Sequence, residues 1–504
     1  MLILILIGTF ACTKKDLELN STQELATNYY KTDEQASAAL VAAYDPIAWV
    51  WRQGFWGGSL KTWGNFASDD AYTGGSDPGD QPTYQAADIY AVSPSDPGAN
   101  LTAFWGNYFQ GIFRANLILD QVKPDDNVKK QAIAQAKFLK AFYYFYLSRM
   151  FGGLPLMDHV QLPTDETKRS SIDSTYTYIE NLLIDVVTGG DIQQRSGGVD
   201  PSNGMATLGS ARALLGKVYL YHKKYAEAIS VLTDVATDNN YSLDPAFWHI
   251  FKGNNRHGME SIFELNFSSS IGAGNEGNSD VYLMGPRGGV NINDTIDGGW
   301  GFDQPTQALV DAFKEQNDNV RMQATVFFED SLLNWYRKYV NNPAATITWV
   351  NRHDGYWDRK HYPDPNLSVA NVHSRFSNPD VILRLGDVYL MLAEAYVRTG
   401  DADKAKTYIN YVRHRAHLAD LSTVTLVDVK KERRLELALE VGERYFDLVR
   451  WKGDGDGIDA ENVLGPLGYS TGTPGSATKG LFPIPQGELD KTFGPNKLVQ
   501  NPGY

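Results

Sequence analysis

The clearest structural pattern in the chain lies at 382–416, with the sequence ILRLGDVYLMLAEAYVRTGDADKAKTYINYVRHRA. Apolar and small residues recur at steps of three and four through Ile382–Thr399 and again through Ala402–Ala416, which is the period of an amphipathic helix. Gly400 lies between the two runs, and glycine commonly follows the last residue of a helix. The stretch therefore predicts two helices that are joined by a short turn and packed side by side.

The same pattern recurs along the chain and defines a scaffold. Further helical segments are predicted at about 104–151, at 208–237 and, as one long helix, at 427–451. Small residues and a short turn within each pair resemble tetratricopeptide helix pairs, whose repeat is about 34 residues. Because irregular sequence separates 208–237 from 382–416, the pattern favours a mostly α-helical scaffold with a large loop-rich insertion over a pure solenoid.

Two regions without a helical period, about 49–100 and 268–375, are rich in Trp, Tyr, Gly and Asp. Long loops are uncommon in compact domains unless they serve binding or another function. Tyr and Trp combine a flat apolar face with a polar tip, so they can cover a sugar ring and also hydrogen-bond its hydroxyls. By contrast, Trp105, Tyr108 and Trp451 follow the helical period and are expected in the core.

The N-terminus combines a short apolar run with the only cysteine of the chain. Met1–Ala11 is too short for a membrane-spanning helix, which needs about 20 residues, but it has the length of the apolar part of a secretory signal. We expect a lipoprotein signal peptide at 1–11, cleaved before a lipid-bearing Cys12, then a flexible leader at 12–23 and a single domain at 24–504. The alternative is a buried N-terminal strand with an inert thiol.

Composition restricts the partners and cofactors. The formal net charge of −14 argues against nucleic acid, whose binding is led by Lys and Arg on phosphates. A single cysteine excludes an internal disulfide and a Cys-rich zinc site. The nine histidines form no HExxH motif, and His353, His361 and His373 lack the spacing of metal ligands. We therefore expect no metal, no cofactor and no nucleic acid.

Catalytic patterns are incomplete. Asp69 and Asp70 are adjacent, whereas glycoside hydrolysis needs two carboxylates that face each other across a bond, so we interpret them as hydroxyl-binding or loop-capping residues. A second set of carboxylates has helical spacing and is interleaved with arginines that can pair with them on the same helix. These carboxylates are Glu432, Glu436, Glu440 and Glu443, and the arginines are Arg433, Arg434 and Arg444.

Two further motifs have the spacing of binding loops. Gly272–Gly277 matches a dinucleotide fingerprint and follows a predicted strand at 261–267, but no helical period comes after it. Asp454, Asp456 and Asp459 begin like a calcium loop, but the twelve-residue pattern with its final glutamate is missing. We interpret both as turns and assign no catalytic residue.

Several segments, taken in order, resemble one known family over nearly the whole chain. They are FWGNYFQGIFRANLILDQV at 104–122, QAKFLKAFYYFYLSRMFGGLPLM at 135–157, ARALLGKVYLYHKKYAEAI at 211–229, ESIFELNF at 260–267, GWGFDQPTQALVDAFKEQNDNVR at 299–321, the stretch at 382–416, ERRLELALEVGERYFDLVRW at 432–451, LFPIP at 481–485 and QNPGY at 500–504. The chain resembles the SusD/RagB-like outer-membrane lipoproteins of Bacteroidetes. The resemblance implies a SusD-like helical core, a lipid anchor in the outer membrane that faces outside, and a SusC-like TonB-dependent transporter as partner.

The resemblance also implies a function, which is surface binding of oligosaccharide and its delivery to that transporter. In the family the ligand lies on loops between the early segment and the central insertion. The candidate contacts are Trp63, Asp70, Tyr72, Tyr84, Tyr282, Arg287 and Trp300. For each of them the alternative is a half-buried packing residue. For the whole chain the alternatives are a RagB-type peptide receptor, an extracellular glycoside hydrolase and a helical scaffold without a small ligand.

Overall fold

The computed structural model describes residues 30–52, 58–95, 98–161, 168–196, 204–253, 255–268, 277–287, 299–339, 341–344, 346, 353–361, 376–472, 474–492, 494 and 497–504. The predicted signal peptide, Cys12 and the leader fall outside these residues, as does nearly all of the glycine-rich motif at 272–277. Within the described ranges, no helix has both the length and the apolar character needed to cross a membrane. The predictions for residues 1–23 therefore stay predictions.

The mostly α-helical prediction is confirmed. The helices are α1 (Asp33–Arg52), α2 (Leu60–Phe66), α3 (Pro82–Asp88), α4 (Gly98–Gln121), α5 (Asn127–Phe151), α6 (Ile172–Gly189), α7 (Leu208–Tyr221), α8 (Tyr225–Ala236), α9 (Asp280–Met284), α10 (Gln307–Glu315), α11 (Asn319–Thr325), α12 (Glu329–Tyr339), α13 (Leu385–Thr399), α14 (Ala402–Arg415), α15 (Leu426–Leu437), α16 (Glu443–Arg450), α17 (Ala460–Val463) and α18 (Gln486–Leu489). Short 3₁₀ helices occur at Phe247–Phe251, Gly465–Leu467 and Ser476–Thr478.

The long helices form one continuous array. Each helix from α4 to α8 packs against the next, and α1 lies against α4 and α5. α13 packs against both α8 and α14, so the pair at 382–416 continues the row in space although 237–384 intervenes in the chain. Within the α7–α8 pair, a Cβ on Gly216 would lie 2.3 Å from Leu232, so the two helices approach as closely as a glycine allows. The helix pairs predicted from the period are present, and the array buries their apolar faces.

Local sequence explains where these helices begin and end. Gly400 takes a φ of 87° after α13, a left-handed conformation that glycine adopts without strain. The backbone N–H of Lys404 then donates to the Asp401 carboxylate at 3.1 Å and caps α14. Thr207 and Ser210 form a reciprocal capping box at the start of α7. The short turns of the pairs therefore follow directly from the residues at their ends.

Short antiparallel sheets join the loop-rich regions to the helices. The strands are β1 (Ala71–Gly74), β2 (Ser261–Leu265), β3 (Phe302–Pro305), β4 (Val326–Phe328), β5 (Tyr356–Asp358) and β6 (Asp380–Arg384). β1 pairs with β3, β2 with β6, and β4 with β5. β2 confirms the strand predicted at 261–267, and its partner β6 leads directly into α13. The insertion therefore leaves and rejoins the array at one two-stranded sheet.

The two regions predicted as loops contain regular elements. The described part of 49–100 includes α2, β1 and α3, and every residue of α2 is buried. The described part of 268–375 includes the four helices α9 to α12 as well as β3, β4 and β5. Elements of only 3 to 11 residues show too few turns for a period to be recognised in sequence. These short elements are stabilised by packing against the helical array.

The prediction of one helix at 427–451 is wrong. The chain forms α15 and α16, and between them Leu439 and Gly442 take φ values of 61° and 71°. Left-handed backbone cannot continue a right-handed helix. A Cβ on Gly442 would lie 2.4 Å from the Leu60 carbonyl oxygen, so the break brings the start of α16 into contact with α2. The interruption is a packing feature that the helical period does not reveal.

The glutamates at helical spacing are buried and pair across elements, so the interpretation of ion pairs along one helix is wrong. The Arg384 guanidinium, at the end of β6, donates to Glu260, Glu436 and Glu440. The basic partners of Glu432, Glu436, Glu440 and Glu443 are Arg321, Arg384, Arg413, Arg415, Lys360, Arg149, Lys217 and, 4.0 Å from Glu443, Arg433 of α15. A buried charge needs such partners because it has lost its water. This network connects α11, α14, α15 and β6.

Candidate functional site

Pairing of β1 with β3 brings the two loop-rich regions together. Tyr72 in β1 lies opposite Gln304 in β3. The backbone N–H of Gly75 donates to the Gly301 carbonyl at 2.9 Å and extends the contact beyond the strands. The Gln304 amide donates to the same carbonyl at 2.7 Å. Side chains from residues about 230 apart in the sequence therefore share one surface.

An aromatic pair forms the centre of this surface. The rings of Tyr282 and Trp300 lie 5.2 Å apart at 61°, an edge-to-face arrangement. The backbone N–H of Trp300 donates to the Tyr282 carbonyl at 2.9 Å, which fixes the two residues relative to each other. Both side chains are half-buried, so part of each ring is accessible. The pair offers a rigid apolar surface at the edge of the domain.

Arg287 is held beside this pair. Its guanidinium donates to the Asp80 carboxylate at 3.0 Å and to the Trp300 carbonyl at 3.2 Å. The same Asp80 oxygen accepts the backbone N–H of Ser76 at 2.9 Å. The Arg287 side chain remains 33% exposed, so it can still donate to a ligand. Its positive charge is largely compensated by Asp80.

Tyr72 lies on the same surface and stacks on a histidine from the insertion. The rings of Tyr72 and His353 are 4.5 Å apart and inclined by 22°. The backbone N–H of His353 donates to the Gln304 side chain at 3.1 Å. Partial burial and the nearby Asp354 carboxylate raise the pKa of the Tyr72 hydroxyl, so it is protonated at neutral pH. We call Tyr72, Tyr282, Arg287, Trp300 and His353 the aromatic face.

The other predicted contacts are buried away from this face, and for them the prediction is corrected. Trp63 and Tyr84 have no exposed surface, and the Trp63 ring packs 5.1 Å from the rings of both Tyr84 and Phe482. A ring that is covered on its faces cannot stack on a sugar. Asp70 is 1% exposed, and the Arg434 guanidinium donates to it at 2.7 Å. These three side chains stabilise the core under the face.

Further aromatic and polar residues of the two regions also separate by burial. Trp51, Tyr90 and Trp357 are core residues. Trp56, Asn291, Asn293, Asp294 and Trp349 lie outside the described residues. The sequence shows for His353 only that it lacks the spacing of a metal ligand, and it singles out neither Asp80 nor Asp354. No short-range pattern identifies these residues, because strand pairing alone brings them beside Tyr72 and Arg287.

The carboxylates considered for catalysis are paired with arginines. The Arg444 guanidinium donates to Asp69 at 2.7 Å, so this buried carboxylate is held by an ion pair. Burial raises the pKa of Asp69, but the adjacent Arg434 and Arg444 charges outweigh it and hold that pKa below its ordinary value. Asp69 and Asp70 are therefore not arranged as a facing acid and base pair.

Two clusters of acidic residues have the composition of a cation site. Lys430 donates to Asp456 at 2.9 Å and also pairs with Asp454, so an ammonium group already occupies the turn that resembles a calcium loop. Asp303, Asp358 and His361 each offer a ligand atom within 4.8 Å of the others. Burial and the Asp358 charge raise the pKa of Asp303 well above its ordinary value, so a proton shared between the two carboxyls accounts for their proximity.

Comparison with known proteins agrees with this architecture. Residues 259–504 match a family model described as "SusD family", and residues 80–189 match one described as "Starch-binding associating with outer membrane". The SusD-like protein P38 of Formosa agariphila is 25% identical over 510 residues, which cover 93% of this chain and 95% of that protein.

Two solved structures show the same fold. A laminarin-binding SusD-like protein is 29% identical, with a TM-score of 0.79 over 94% of this chain and 100% of its own. Surface glycan-binding protein A from Bacteroides thetaiotaomicron, in complex with laminarihexaose, is 25% identical, with a TM-score of 0.77 over 93% and 99% of the two chains. The similarity extends over nearly the whole length of both chains in each comparison, so these proteins share the fold of this one. The chain belongs to the SusD-like family.

Proposed function

We propose that the protein binds a neutral oligosaccharide at the aromatic face and delivers it to a transporter. The half-buried Tyr282–Trp300 pair is the observation that carries the proposal. Its accessible ring surfaces suit the C–H faces of sugar rings, and the hydroxyl of Tyr72 and the guanidinium of Arg287 suit sugar hydroxyls. Laminarin and laminarihexaose, which similar proteins bind according to their descriptions, make β-glucan oligosaccharides the first ligands to test.

The charges around the face support a neutral ligand. Asp80 compensates Arg287 at 3.0 Å, and Asp354 adds a second carboxylate beside Tyr72. Two described carboxylates thus lie beside the face, against the single arginine that belongs to it. A sulfated or uronic-acid polymer would bring further negative charge to this surface, which costs free energy.

Calorimetric titration with laminarihexaose tests the proposal. We expect Trp300→Ala to weaken binding by about 2 kcal/mol, or roughly thirtyfold, because the central aromatic contact is lost. Tyr282→Ala should weaken binding to a similar extent, because it also removes the edge that holds Trp300. Trp248→Ala is the matched control, since Trp248 is a half-buried tryptophan that packs on Arg359 away from the face. It should leave affinity unchanged.

The other function classes are outcomes of the same experiment. Retained affinity in both Trp300→Ala and Tyr282→Ala would place the ligand elsewhere. Titration with peptides that gives heat where glycans give none would indicate a RagB-type receptor. A reducing-end assay on the same glycans detects hydrolysis, and we expect no turnover because Asp69 and Asp70 are tied to arginines. No heat with either ligand class would indicate a scaffold protein.

The proposal also includes the location and the partner of the protein. The family model at 80–189 is described as associating with the outer membrane. We propose that lipid on Cys12 tethers the protein to the outer face of that membrane beside a SusC-like TonB-dependent transporter. A tether keeps the binding domain at a high local concentration near its partner without requiring a tight interface. Co-purification of the transporter with the full-length lipoprotein from membranes tests this part.

A further inference from the structure

A cleft of about 480 Å³ opens on a part of the molecule that shares no residue with the aromatic face. It lies between the end of α5, the start of α6, the turn between α7 and α8, helix α16 and the C-terminal segment. Its volume falls in the range of small-molecule sites, which is about 300–1,000 Å³. The basic residues that line it are Arg149, Arg169, Lys223, Arg450 and Lys479.

The charge of this cleft is opposite to that of the chain. The protein has 60 Asp and Glu against 46 Lys and Arg, yet no acidic side chain lines the cleft among the described residues. Arg450 is compensated from behind by Glu394 at 2.7 Å. Lys223 and Lys479 are exposed residues of the lining, and no described carboxylate forms an ion pair with either. The cleft is therefore a local centre of positive potential on an acidic protein.

Arg169 carries its charge without a carboxylate partner among the described residues. Its guanidinium donates to the carbonyls of Gly153, Phe151 and Val499, each at 2.7 Å, and also to the Asn501 side chain. These neutral acceptors fix the guanidinium in place but leave its positive charge uncompensated. Arginine stays protonated under such conditions. A fixed cation of this kind is preorganised for an anion.

Arg149 adds unsatisfied donors at the base of the cleft. Its side chain is fully buried, and Nη1 donates to Glu443 at 3.1 Å. Within the described structure, its Nε and Nη2 atoms have no hydrogen-bond partner, and neither has the Tyr221 hydroxyl that lines the same cleft. Buried donors without partners are uncommon in native proteins and call for an explanation. The guanidinium packs over the Phe446 ring, 4.3 Å from the ring centroid, and over the Tyr221 ring, so Arg149 adds positive charge beneath the cleft.

The start of α6 also adds positive potential to the cleft. Ser170, Ser171 and Ile172 line the cleft, and Ser171 is the N-cap of this 18-residue helix. Helix N-termini carry a partial positive charge and free backbone N–H groups, which favour anions. The helix terminus, Arg169, Arg149 and the two lysines therefore converge on one volume from separate segments of the chain.

We propose that this cleft binds a small molecule through a carboxylate, phosphate or sulfate group. The ligand is of sugar-acid or sugar-phosphate size, since the volume exceeds that of a bare inorganic anion. The site is independent of the aromatic face and does not rest on the function proposed for it. The protein would then have a second site, selective for negatively charged ligands, in addition to the aromatic face.

Calorimetric titration with inorganic phosphate, glucuronate and neutral methyl glucoside, at constant ionic strength, tests this proposal. We expect both anions to bind the wild-type protein and methyl glucoside not to bind. The stronger of the two anions identifies the group that the cleft prefers. The double variant Lys223→Gln and Lys479→Gln should weaken anion binding about tenfold, because two charge contacts are lost. Both lysines are exposed, so the variant should fold normally.

The double variant Lys123→Gln and Lys130→Gln is the matched control. It removes the same charge from two exposed lysines that do not line the cleft, and anion affinity should stay at the wild-type value. Equal weakening in both double variants would mean that the anions respond only to net charge and would overturn the proposal. Absence of anion binding to the wild type, or equal binding of methyl glucoside, would overturn it as well.

Discussion

Asp303 is a buried carboxyl group whose neighbours control its protonation. It lies in β3, directly beneath the aromatic face, and it has no exposed surface. The Asn65 amide donates to one of its oxygens at 2.9 Å. Burial and the charge of Asp358 raise its pKa, so the folded protein keeps a proton that the unfolded chain releases above about pH 4. This group therefore lowers stability as the pH rises from about 4 toward its folded pKa.

Asp303→Asn should remove this pH dependence. An amide reproduces the shape and the donor of the protonated carboxyl, so we expect a variant at least as stable as the wild type at pH 7. Its advantage should grow from pH 4 toward pH 7, because only the wild type must hold an extra proton in the folded state. Urea unfolding at several pH values measures this difference. The same titrations in EDTA provide the control, and a loss of about 2 kcal/mol that depends on a divalent cation would contradict the shared-proton interpretation.

Residue burial is also the property that separates Trp63 from Trp300. Both tryptophans lie in Gly-rich sequence without a helical period, so the sequence predicts a ligand contact equally for both. Trp63 lies in the middle of a short helix whose residues are all buried, whereas Trp300 lies just before the segment that forms β3. The distinction depends on which surface the array covers. The residues adjacent to the two tryptophans in the chain do not reveal this difference in burial.

At the scale of elements, close packing of α2 against α16 depends on two facing glycines. A Cβ on Gly64 would lie 2.3 Å from the Gly442 carbonyl oxygen, a distance that real Cβ atoms do not reach. Gly106, in α4, is exposed, and a Cβ there would meet no atom within 4 Å. Gly64 and Gly106 therefore both lie within helices, but only Gly106 has space for a Cβ.

Alanine substitution at the two positions should change stability in opposite directions. Gly106→Ala should stabilise the protein by about 0.5–1 kcal/mol, since alanine restricts the unfolded chain and adds no clash. Gly64→Ala should destabilise it by about 1–3 kcal/mol through overpacking between α2 and α16. Denaturant midpoints of both variants measure the effect. Stabilisation by Gly64→Ala would show that the two elements can separate without cost.

The buried ion pairs between α13 and α16 have their own pH signature. Glu394 in α13 accepts hydrogen bonds from Arg450 and Arg398. Burial alone would raise its pKa, but the Arg450 and Arg398 charges outweigh burial and lower it to about 2. Because the folded pKa lies below the unfolded value, the stabilisation is present above about pH 4.5 and is lost as the pH falls toward 2.

Glu394→Gln should therefore be costly at neutral pH and less costly in acid. We expect a loss of about 3–5 kcal/mol at pH 7, because Arg450 and Arg398 lose a buried counter-charge. The difference from the wild type should shrink as the pH falls from 4.5 to 2, where Glu394 itself becomes protonated. Chemical unfolding at pH 7, 4 and 3 follows this trend. Glu461→Gln is the control, since Glu461 pairs with Lys452 near the surface and should change stability by less than about 1 kcal/mol.

At the scale of the whole molecule, the helical array and the insertion have different structural roles. Helices α4 to α8 and α13 to α14 bury the core, while β1 and the insertion together present the aromatic face. The network around Arg384 connects the two at β6, so the face rests on a fixed support. A rigid support limits the entropy that ligand binding would otherwise cost.

The proposed tether can be tested separately from the proposed face. Cys12→Ala should release the protein from the membrane fraction, because the lipid-bearing residue is lost. The purified variant should bind laminarihexaose as the wild type does, since the face lies far along the chain in the folded domain. Fractionation and calorimetry are the two measurements, and Ser21→Ala in the leader is the control. A Cys12→Ala protein that stays in the membrane fraction would contradict the lipid anchor.

The sequence by itself determined the helix pairs, their turns and the family. Periodicity at 382–416, the helix-ending Gly400 and the capping Asp401 act over a few residues, so a linear chain displays them directly. Helices such as α2 and α10, of 7 and 9 residues, are too short to show that signal.

Only the tertiary structure decided which aromatic residues reach the surface and which charges meet. Pairing of β1 with β3 brings Tyr72 beside the insertion, and packing of 426–450 against other elements pairs its four glutamates with arginines and lysines of those elements. The basic cleft likewise forms from side chains that are scattered through the sequence. The physical reason is that burial and charge pairing depend on contacts between distant segments, whereas helical period and capping depend on neighbours in the chain.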